Sequence, residues 1–145
     1  MSMTHGNIET VRAIYDAFGR ADVPFILSQL TDDVDWASCP DSTAAPWHGI
    51  RIGKAGVRDY FQALGESLDV TDFTTLSLAA NDSDVLVVTH FVATVRATNE
   101  TFAMDIHHWW RFREGKVCLY RGTEDTLATH AALGGQAALS SGRSG

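Results

Sequence analysis

The hydrophobic pattern changes its period once along the chain, and this change limits the folds that the chain can adopt. In the first half, apolar residues recur at helical spacing, as Val57, Tyr60 and Leu64 do. From residue 73 onward, long segments rich in Val, Thr, Phe and Trp alternate as strands do. Helices followed by consecutive strands predict an α+β fold, with the helices covering one face of a curved antiparallel sheet.

Periodicity and turn residues predict three helices and five strands. The helices are predicted at residues 8–19 with Asn7 as a cap, at a short segment after Asp22, and from Gly53 to about Leu68. A short strand at 34–38 is followed by a loop at 39–51. The four longer strands are predicted at residues 73–80, 84–97, 101–113 and 116–125.

The length of 145 residues fits one domain and is too short for an eight-stranded α/β barrel. We assign residues 1–127 to this domain. Residues 128–145, which end in a run rich in Gly and Ser, are predicted to be a flexible C-terminal tail.

Charge and composition exclude several classes of partner. Eighteen acidic and eleven basic side chains give a net charge of −7, which disfavours nucleic-acid binding. No apolar run approaches the roughly 20 residues of a membrane span, and the N-terminus lacks signal-peptide features, so we expect no membrane partner and a cytoplasmic location. The two cysteines, Cys39 and Cys118, are far apart and lack metal-like spacing.

The strand at 101–113 has two different faces. One face carries Ile106, His108, Trp110 and Phe112, and the other carries His107, Trp109, Arg111 and Arg113. The strand at 84–97 is apolar on both faces. Because the helices can cover only one side of the sheet, we expect the face with Trp109 to meet a second subunit in a homodimer.

Four sequence strings, in order, resemble a known family. They are VRAIYDAFGRAD, LTDDVDW, PWHGIRIGKAGVRDYFQAL and HWWRFREGKVCLYRGTEDT. Over residues 8–127 the chain resembles the SnoaL-like polyketide cyclases, a group of the nuclear-transport-factor-2-like superfamily that is related to ketosteroid isomerase. The resemblance implies a cone-shaped, curved antiparallel sheet wrapped around three N-terminal helices and enclosing a hydrophobic pocket. It implies no single activity, because the superfamily includes isomerases, cyclases, hydrolases and non-catalytic binders.

Matching the functional positions of ketosteroid isomerase shows that its catalytic set is missing. The first-helix Tyr matches Ile14, with Tyr15 one residue further on. The early-strand base matches Ser38, and the third-strand acid matches His108. The resemblance therefore does not imply the isomerase mechanism itself.

The acidic base of the polyketide cyclases is also absent. Its position on the last strand matches Gly122, but alternation places Glu124 on the same face. We therefore predict His108, Glu124 and Ser38 as catalytic residues, with His108 polarising a substrate oxygen, Glu124 as the base and Ser38 adding a hydrogen bond. The alternatives are a structural core histidine at His108 and a solvated strand end at Glu124.

The local environment sets the expected pKa values. Enclosure among apolar groups should raise the pKa of Glu124 and lower the pKa of His108, whereas close pairing of the two would do the opposite.

Aromatic residues are predicted to form the ligand pocket. Trp47 belongs to a Pro-bracketed loop, where with His48 it either lines the pocket mouth or packs on the third helix. A filled aromatic core is the alternative to a pocket. The predicted ligand-binding residues are Trp36, Phe91, Trp110, Phe112, Tyr120, Tyr15 and Trp47.

These observations predict a protein that binds a small hydrophobic molecule. The predicted activity is that of a cofactor-independent isomerase, cyclase or hydrolase that transfers protons on an apolar carbonyl or epoxide substrate. The alternative is a non-catalytic binder of a small hydrophobic ligand or a dimeric scaffold. No metal site is predicted, because the adjacent His107 and His108 point to opposite faces.

Overall fold

The first helix begins earlier than predicted, and a fourth helix follows the last strand. The computed structural model describes residues 2–134. The first helix begins five residues before the predicted start, because the Ser2 side chain accepts a hydrogen bond from the backbone N–H of His5. Asn7, the predicted cap, is buried and donates to the backbone oxygen of Asp82 over 3.1 Å. The helices are α1 (Met3–Gly19), α2 (Val23–Ser28), α3 (Gly53–Ser67) and α4 (Thr126–Ala132).

Six strands form one sheet in the order β2-β1-β6-β5-β4-β3. The strand β2 occupies part of the segment predicted as a loop, between Gly49 and Gly53, whose backbones have φ values of 114° and 83° that favour glycine. The strands are β1 (Leu30–Ser38), β2 (Gly49–Ile52), β3 (Leu68–Ala80), β4 (Asp84–Val95), β5 (Thr101–Arg113) and β6 (Lys116–Thr123).

The α+β class is confirmed, but the sheet is mixed and not entirely antiparallel. Strand β1 runs parallel to β6, and this pairing aligns Trp36 with Tyr120 and Ser38 with Gly122. The expectation of a purely antiparallel sheet is wrong here, because the long connection from β1 to β6 leaves the chain free to enter in either direction. The parallel pairing brings the C-terminal end of β1 beside that of β6.

The predicted alternation along β5 is confirmed by burial. Its residues from Thr101 to Arg113 alternate between exposed or half-buried and buried positions, with His108 on the buried face. Apolar residues of α1 and α3 join this face in one core. The core includes Val11, Ile14, Val57, Leu64, Val85, Trp110 and Val117.

The opposite face of the sheet is polar with scattered apolar side chains. Leu86 is 52% exposed and pairs with Trp109 of β5. Trp109 is half-buried, because its indole N–H donates to Asp84 over 2.8 Å and the Arg111 guanidinium lies over its ring. No helix in residues 2–134 combines the length and apolar character needed to cross a membrane.

The segment after β6 is helical at its start. Asp125 caps α4 by accepting a hydrogen bond from the backbone N–H of Ala128, and Thr129 is fully buried. Residues 128–134 of the predicted flexible tail therefore lie in or directly after a capped, partly buried helix. The remainder of that prediction, residues 135–145, lies outside the described residues.

Candidate functional site

A cavity of about 70 Å³ lies against the inner face of the sheet. All the predicted site residues line it except Phe112, which is buried in the core near the end of β5. The lining residues that were not predicted come from α1, α3 and strands β3, β5 and β6. Periodicity identifies them as core residues but does not reveal which core residues border a void. They include Phe18, Tyr60, Phe61, Phe73, Met104 and Ile106.

The cavity walls are aromatic and closely packed. Trp36 stacks on Tyr120 with ring centroids 4.1 Å apart, and it meets Trp110 edge to face at 5.7 Å. Ligand pockets usually have volumes of about 300–1,000 Å³, so this cavity is small. A ligand larger than a few atoms must displace some of these rings when it binds.

His108 is held as a neutral imidazole at the cavity wall. Burial, aided by the charge of neighbouring His107, lowers the pKa of His108 to about 3. The Tyr15 hydroxyl lies 2.7 Å from His108 Nδ1 and accepts a hydrogen bond from the Trp110 indole over 3.1 Å. Burial raises the pKa of Tyr15, so the hydroxyl keeps its proton and can donate a hydrogen bond to Nδ1.

The contact with Tyr15 favours one tautomer of His108. When Nδ1 accepts the Tyr15 hydrogen bond, the proton of the neutral ring lies on Nε2. No side chain or backbone group in residues 2–134 forms a hydrogen bond with Nε2. His108 therefore offers a donor to a ligand oxygen and is not a general base at neutral pH.

Glu124 lies at the same cavity but is bound to other partners. Its Oε1 accepts hydrogen bonds from Trp47 Nε1 over 3.0 Å and from His48 Nε2 over 2.8 Å. Its Oε2 accepts a hydrogen bond from the Thr129 hydroxyl. The 39–48 loop and α4 thus supply donors that no local sequence pattern predicts.

The pKa of Glu124 changes in the direction opposite to the predicted effect of burial. Burial does raise the pKa of Glu124, but hydrogen bonds from His48, Thr129 and Trp47, with the charge of His48, outweigh it. The net result is a pKa below the ordinary value, so Glu124 is ionised at neutral pH. Of the two opposing effects expected for Glu124, the lowering one prevails, but the groups that lower its pKa are these three donors and not His108.

A second group of polar side chains surrounds Glu124. His48 bridges Glu124 and Ser42, because its Nδ1 lies 2.8 Å from Ser42 Oγ. The ligand atoms of Cys39, His48 and Glu124 all lie within 4.8 Å of one another. Burial raises the pKa of the Cys39 thiol, and the negative charge of Glu124 contributes in the same direction.

The backbone explains why Cys39 reaches this corner. The Cys39 N–H donates to the Gly122 oxygen over 2.9 Å, which continues the parallel pairing of β1 and β6. Cys39 also has a φ of 41°, an unfavourable value for a residue other than glycine. The sequence contains no signal for this approach, because 84 residues of chain lie between Cys39 and Glu124.

Comparison with known proteins places this architecture in a family. Residues 11–120 match the sequence model of the SnoaL-like domain. The chain belongs to the SnoaL-like domain family. No curated protein matches it in sequence.

Solved structures share the SnoaL-like fold over nearly their whole length. A nuclear-transport-factor-2-like protein from Burkholderia xenovorans is 28% identical, with a TM-score of 0.79 and coverage of 89% of this chain and 96% of that one. A protein of unknown function from Burkholderia pseudomallei is 23% identical, with a TM-score of 0.81 and coverage of 91% and 98%. TerC, co-crystallised with polyporic acid, is 24% identical, with a TM-score of 0.79 and coverage of 88% and 98%.

Gly122, which the resemblance matches to the acidic base of SnoaL-like cyclases, has no room for a side chain. A Cβ atom there would collide with the Tyr120 hydroxyl and lie 3.0 Å from Tyr120 Cζ. Tyr120 is itself buried against Trp36 and Trp110, so it cannot move without disturbing the cavity wall. The Tyr120 phenol thus fills the space that an acid at this position would need.

Proposed function

We propose that this SnoaL-like chain binds a small hydrophobic carbonyl or epoxide compound in the aromatic cavity and transfers a proton on it without a cofactor, as an isomerase, cyclase or hydrolase. The family fold and the cavity support the coarser statement that it is a small-molecule pocket protein. The finer proposal depends mainly on one observation, the buried His108 at the cavity wall, whose Nε2 has no hydrogen-bond partner in residues 2–134.

His108 has the properties of an electrophilic hydrogen-bond donor. The Tyr15 hydroxyl, 2.7 Å from Nδ1, favours the tautomer with the proton on Nε2, and burial keeps the ring uncharged across the neutral range. A neutral imidazole can polarise a carbonyl oxygen and stabilise negative charge that develops on it. The buried Trp36 Nε1, which has no partner in residues 2–134, is a candidate second donor.

Glu124 is the proposed base, because it is an ionised carboxylate in the cavity lining. A carboxylate whose pKa is lowered is a weak base. It therefore suits the removal of a proton that an adjacent polarised carbonyl has already made acidic. Ser38, a buried hydroxyl in the same lining, would add a hydrogen bond to the ligand.

Ligand binding tests the role of His108. Polyporic acid is a suitable first probe because TerC was co-crystallised with it, and quenching of tryptophan fluorescence reports its binding. We expect His108→Asn, in which the Asn oxygen can still accept the Tyr15 hydrogen bond, to bind about 5-fold more weakly, since one hydrogen bond contributes about 1 kcal/mol. His107→Asn, on the exposed face of the same strand, is the control and should bind normally. Equal affinity in both variants would refute the proposed role.

Proton exchange tests whether the protein is an enzyme. The loss of α-protons from small apolar ketones into D₂O can be followed by NMR. We expect Glu124→Gln to slow this exchange by ~10²-fold or more, the usual scale for a general base, and Ser38→Ala to slow it about 10-fold or less. Equal acceleration by wild type and Glu124→Gln would eliminate Glu124 as the base. If wild type does not accelerate the exchange at all, the non-catalytic binder or dimeric scaffold replaces the enzyme.

We also propose that the chain forms a homodimer through the outer face of its sheet. The exposed Leu86 and the half-buried Trp109, which pair across β4 and β5 on this face, support the proposal. Light scattering at micromolar concentration should give twice the chain mass, and Trp109→Glu should shift the protein towards monomer. Leu127→Glu, on α4, is the control, because Leu127 is exposed outside the sheet. A monomeric wild type would contradict the proposal.

A further inference from the structure

The corner where β1, the 39–48 loop and the end of β6 meet contains three side chains of the kinds that bind transition metals. Cys39, His48 and Glu124 each offer one ligand atom, and these atoms lie within 4.8 Å of one another. The side chain of His48 is fully buried and that of Glu124 nearly so. Burial and mixed chemistry distinguish this group from the solvated acidic clusters that are common on protein surfaces.

We propose that Cys39, His48 and Glu124 form a binding site for a single divalent ion of the Zn²⁺ type. Thiolate, imidazole and carboxylate are the ligands that Zn²⁺ takes in proteins, and three protein ligands leave a fourth position for water or another ligand. Ligand atoms around a tetrahedral Zn²⁺ are about 3.3–3.8 Å apart, so closing the site requires shifts of about 1 Å or less.

Charge balance favours an ion at this position. In the structure the buried Glu124 carboxylate is balanced by three hydrogen bonds and by the charge of His48. A divalent ion that binds Glu124 and Cys39, with the thiol proton released to solvent, gives a site with no net charge. Burying a neutral complex costs less than burying a carboxylate that carries a net charge.

Groups around the site already hold its ligands in place. Ser42 Oγ lies 2.8 Å from His48 Nδ1. When Nε2 binds the ion, the proton of the neutral ring lies on Nδ1, and this N–H donates a hydrogen bond to Ser42 Oγ. Thr129 and Trp47 donate to the oxygens of Glu124. Such outer-shell partners orient metal ligands in known sites. The sequence predicts no metal site, because residues 39, 48 and 124 meet only in the folded chain.

Cobalt spectroscopy tests the site without any knowledge of the substrate. Protein treated with chelator and kept reduced is titrated with Co²⁺. We expect one equivalent to produce a thiolate-to-cobalt charge-transfer band and the strong visible bands of four-coordinate cobalt, and Zn²⁺ to remove both. Absence of the charge-transfer band at stoichiometric Co²⁺ would overturn the proposal.

Matched variants locate the site on the chain. Cys39→Ser should lose the charge-transfer band, whereas Cys118→Ser, which replaces the other cysteine, should keep it. His48→Gln should weaken binding by ~100-fold or more, and Ser42→Ala by ~10–100-fold. His90→Gln, which removes an exposed His–Asp pair, should leave binding unchanged. A band that disappears in Cys118→Ser and persists in Cys39→Ser would refute the assignment.

A second measurement does not depend on the folding of any variant. In the wild-type protein, Zn²⁺ should protect Cys39 from alkylation and leave Cys118 reactive, as mass spectrometry of peptides would show. Equal alkylation of Cys39 with and without Zn²⁺ would overturn the proposal.

The metal site shares Glu124 with the proposed proton transfer, but its test is separate. A bound ion would occupy the carboxylate that we propose as the base, so Zn²⁺ should slow proton exchange. The cobalt bands and the protection of Cys39 require neither a ligand in the aromatic cavity nor any exchange activity. Failure of the proposed function therefore leaves this test unaffected.

Discussion

Lowering the pH from 6.5 to 4 is expected to reduce the free energy of unfolding by about 3 kcal/mol through His108 alone. Burial, with a smaller contribution from His107, lowers the pKa of His108 to about 3 in the folded protein, against an ordinary value of 6.5. Between these two values the unfolded chain binds a proton that the folded protein does not. The folded state therefore loses about 1.4 kcal/mol for each pH unit, and the loss ends near pH 3.

The comparison of wild type with His108→Asn isolates this effect. Asparagine does not titrate, and its oxygen can still accept the Tyr15 hydrogen bond. Carboxylates titrate in both proteins, so their contributions cancel when urea unfolding at pH 7, 5 and 4 is compared. The stability advantage of wild type over the variant should shrink by about 3 kcal/mol across this range. A constant difference would show that His108 is not held neutral by burial.

Removing the Trp36 side chain is expected to have a similarly large effect on stability. Trp36 is 1% exposed, and its ring meets those of Tyr60, Phe61, Trp110 and Tyr120. Truncation of a buried tryptophan to alanine usually costs about 3–5 kcal/mol. Because Trp36 Nε1 is a buried donor with no partner in residues 2–134, its removal also relieves a penalty. We therefore expect Trp36→Ala to lose about 3 kcal/mol, at the lower end of that range.

Urea unfolding at pH 7 measures this loss. Leu127→Ala is the control, since Leu127 is 71% exposed and its truncation should change stability by no more than about 0.5 kcal/mol. A loss below about 1 kcal/mol in Trp36→Ala would mean that its ring does not pack in the core as described.

The features that were predicted correctly from the sequence depend on local patterns. The alternation along β5 placed His108 and Trp110 on the buried face, and periodicity identified the core side of α3. Both follow from the geometry of a single strand or helix, which a sequence shows directly. The lowering effect of burial on the pKa of His108 follows from the same pattern, because its strand neighbours on that face are apolar, but the sequence did not show that this effect would outweigh pairing with Glu124.

The environment of Glu124 was not predictable in this way. Its partners His48 and Thr129 lie in a loop and in a short helix that was assigned to a flexible tail. Their approach depends on the parallel pairing of β1 with β6, which joins segments more than 80 residues apart. Periodicity carries no information about such pairings, so the sequence placed Glu124 on the correct face but not in its hydrogen-bond network.

The position of β6 in the sheet has a consequence for folding during synthesis. Strand β6 lies between β1 and β5, so it joins the sheet formed by β5, β4 and β3 to the strand pair of β1 and β2. A nascent chain that has not yet emerged past residue 116 has both parts but lacks the strand that connects them. The cavity wall that pairs Trp36 with Tyr120 can therefore form only after almost the whole described domain has left the ribosome. Until then the edges of β1 and β5 are unpaired, and such edges make an incomplete chain prone to pair wrongly with other nascent chains.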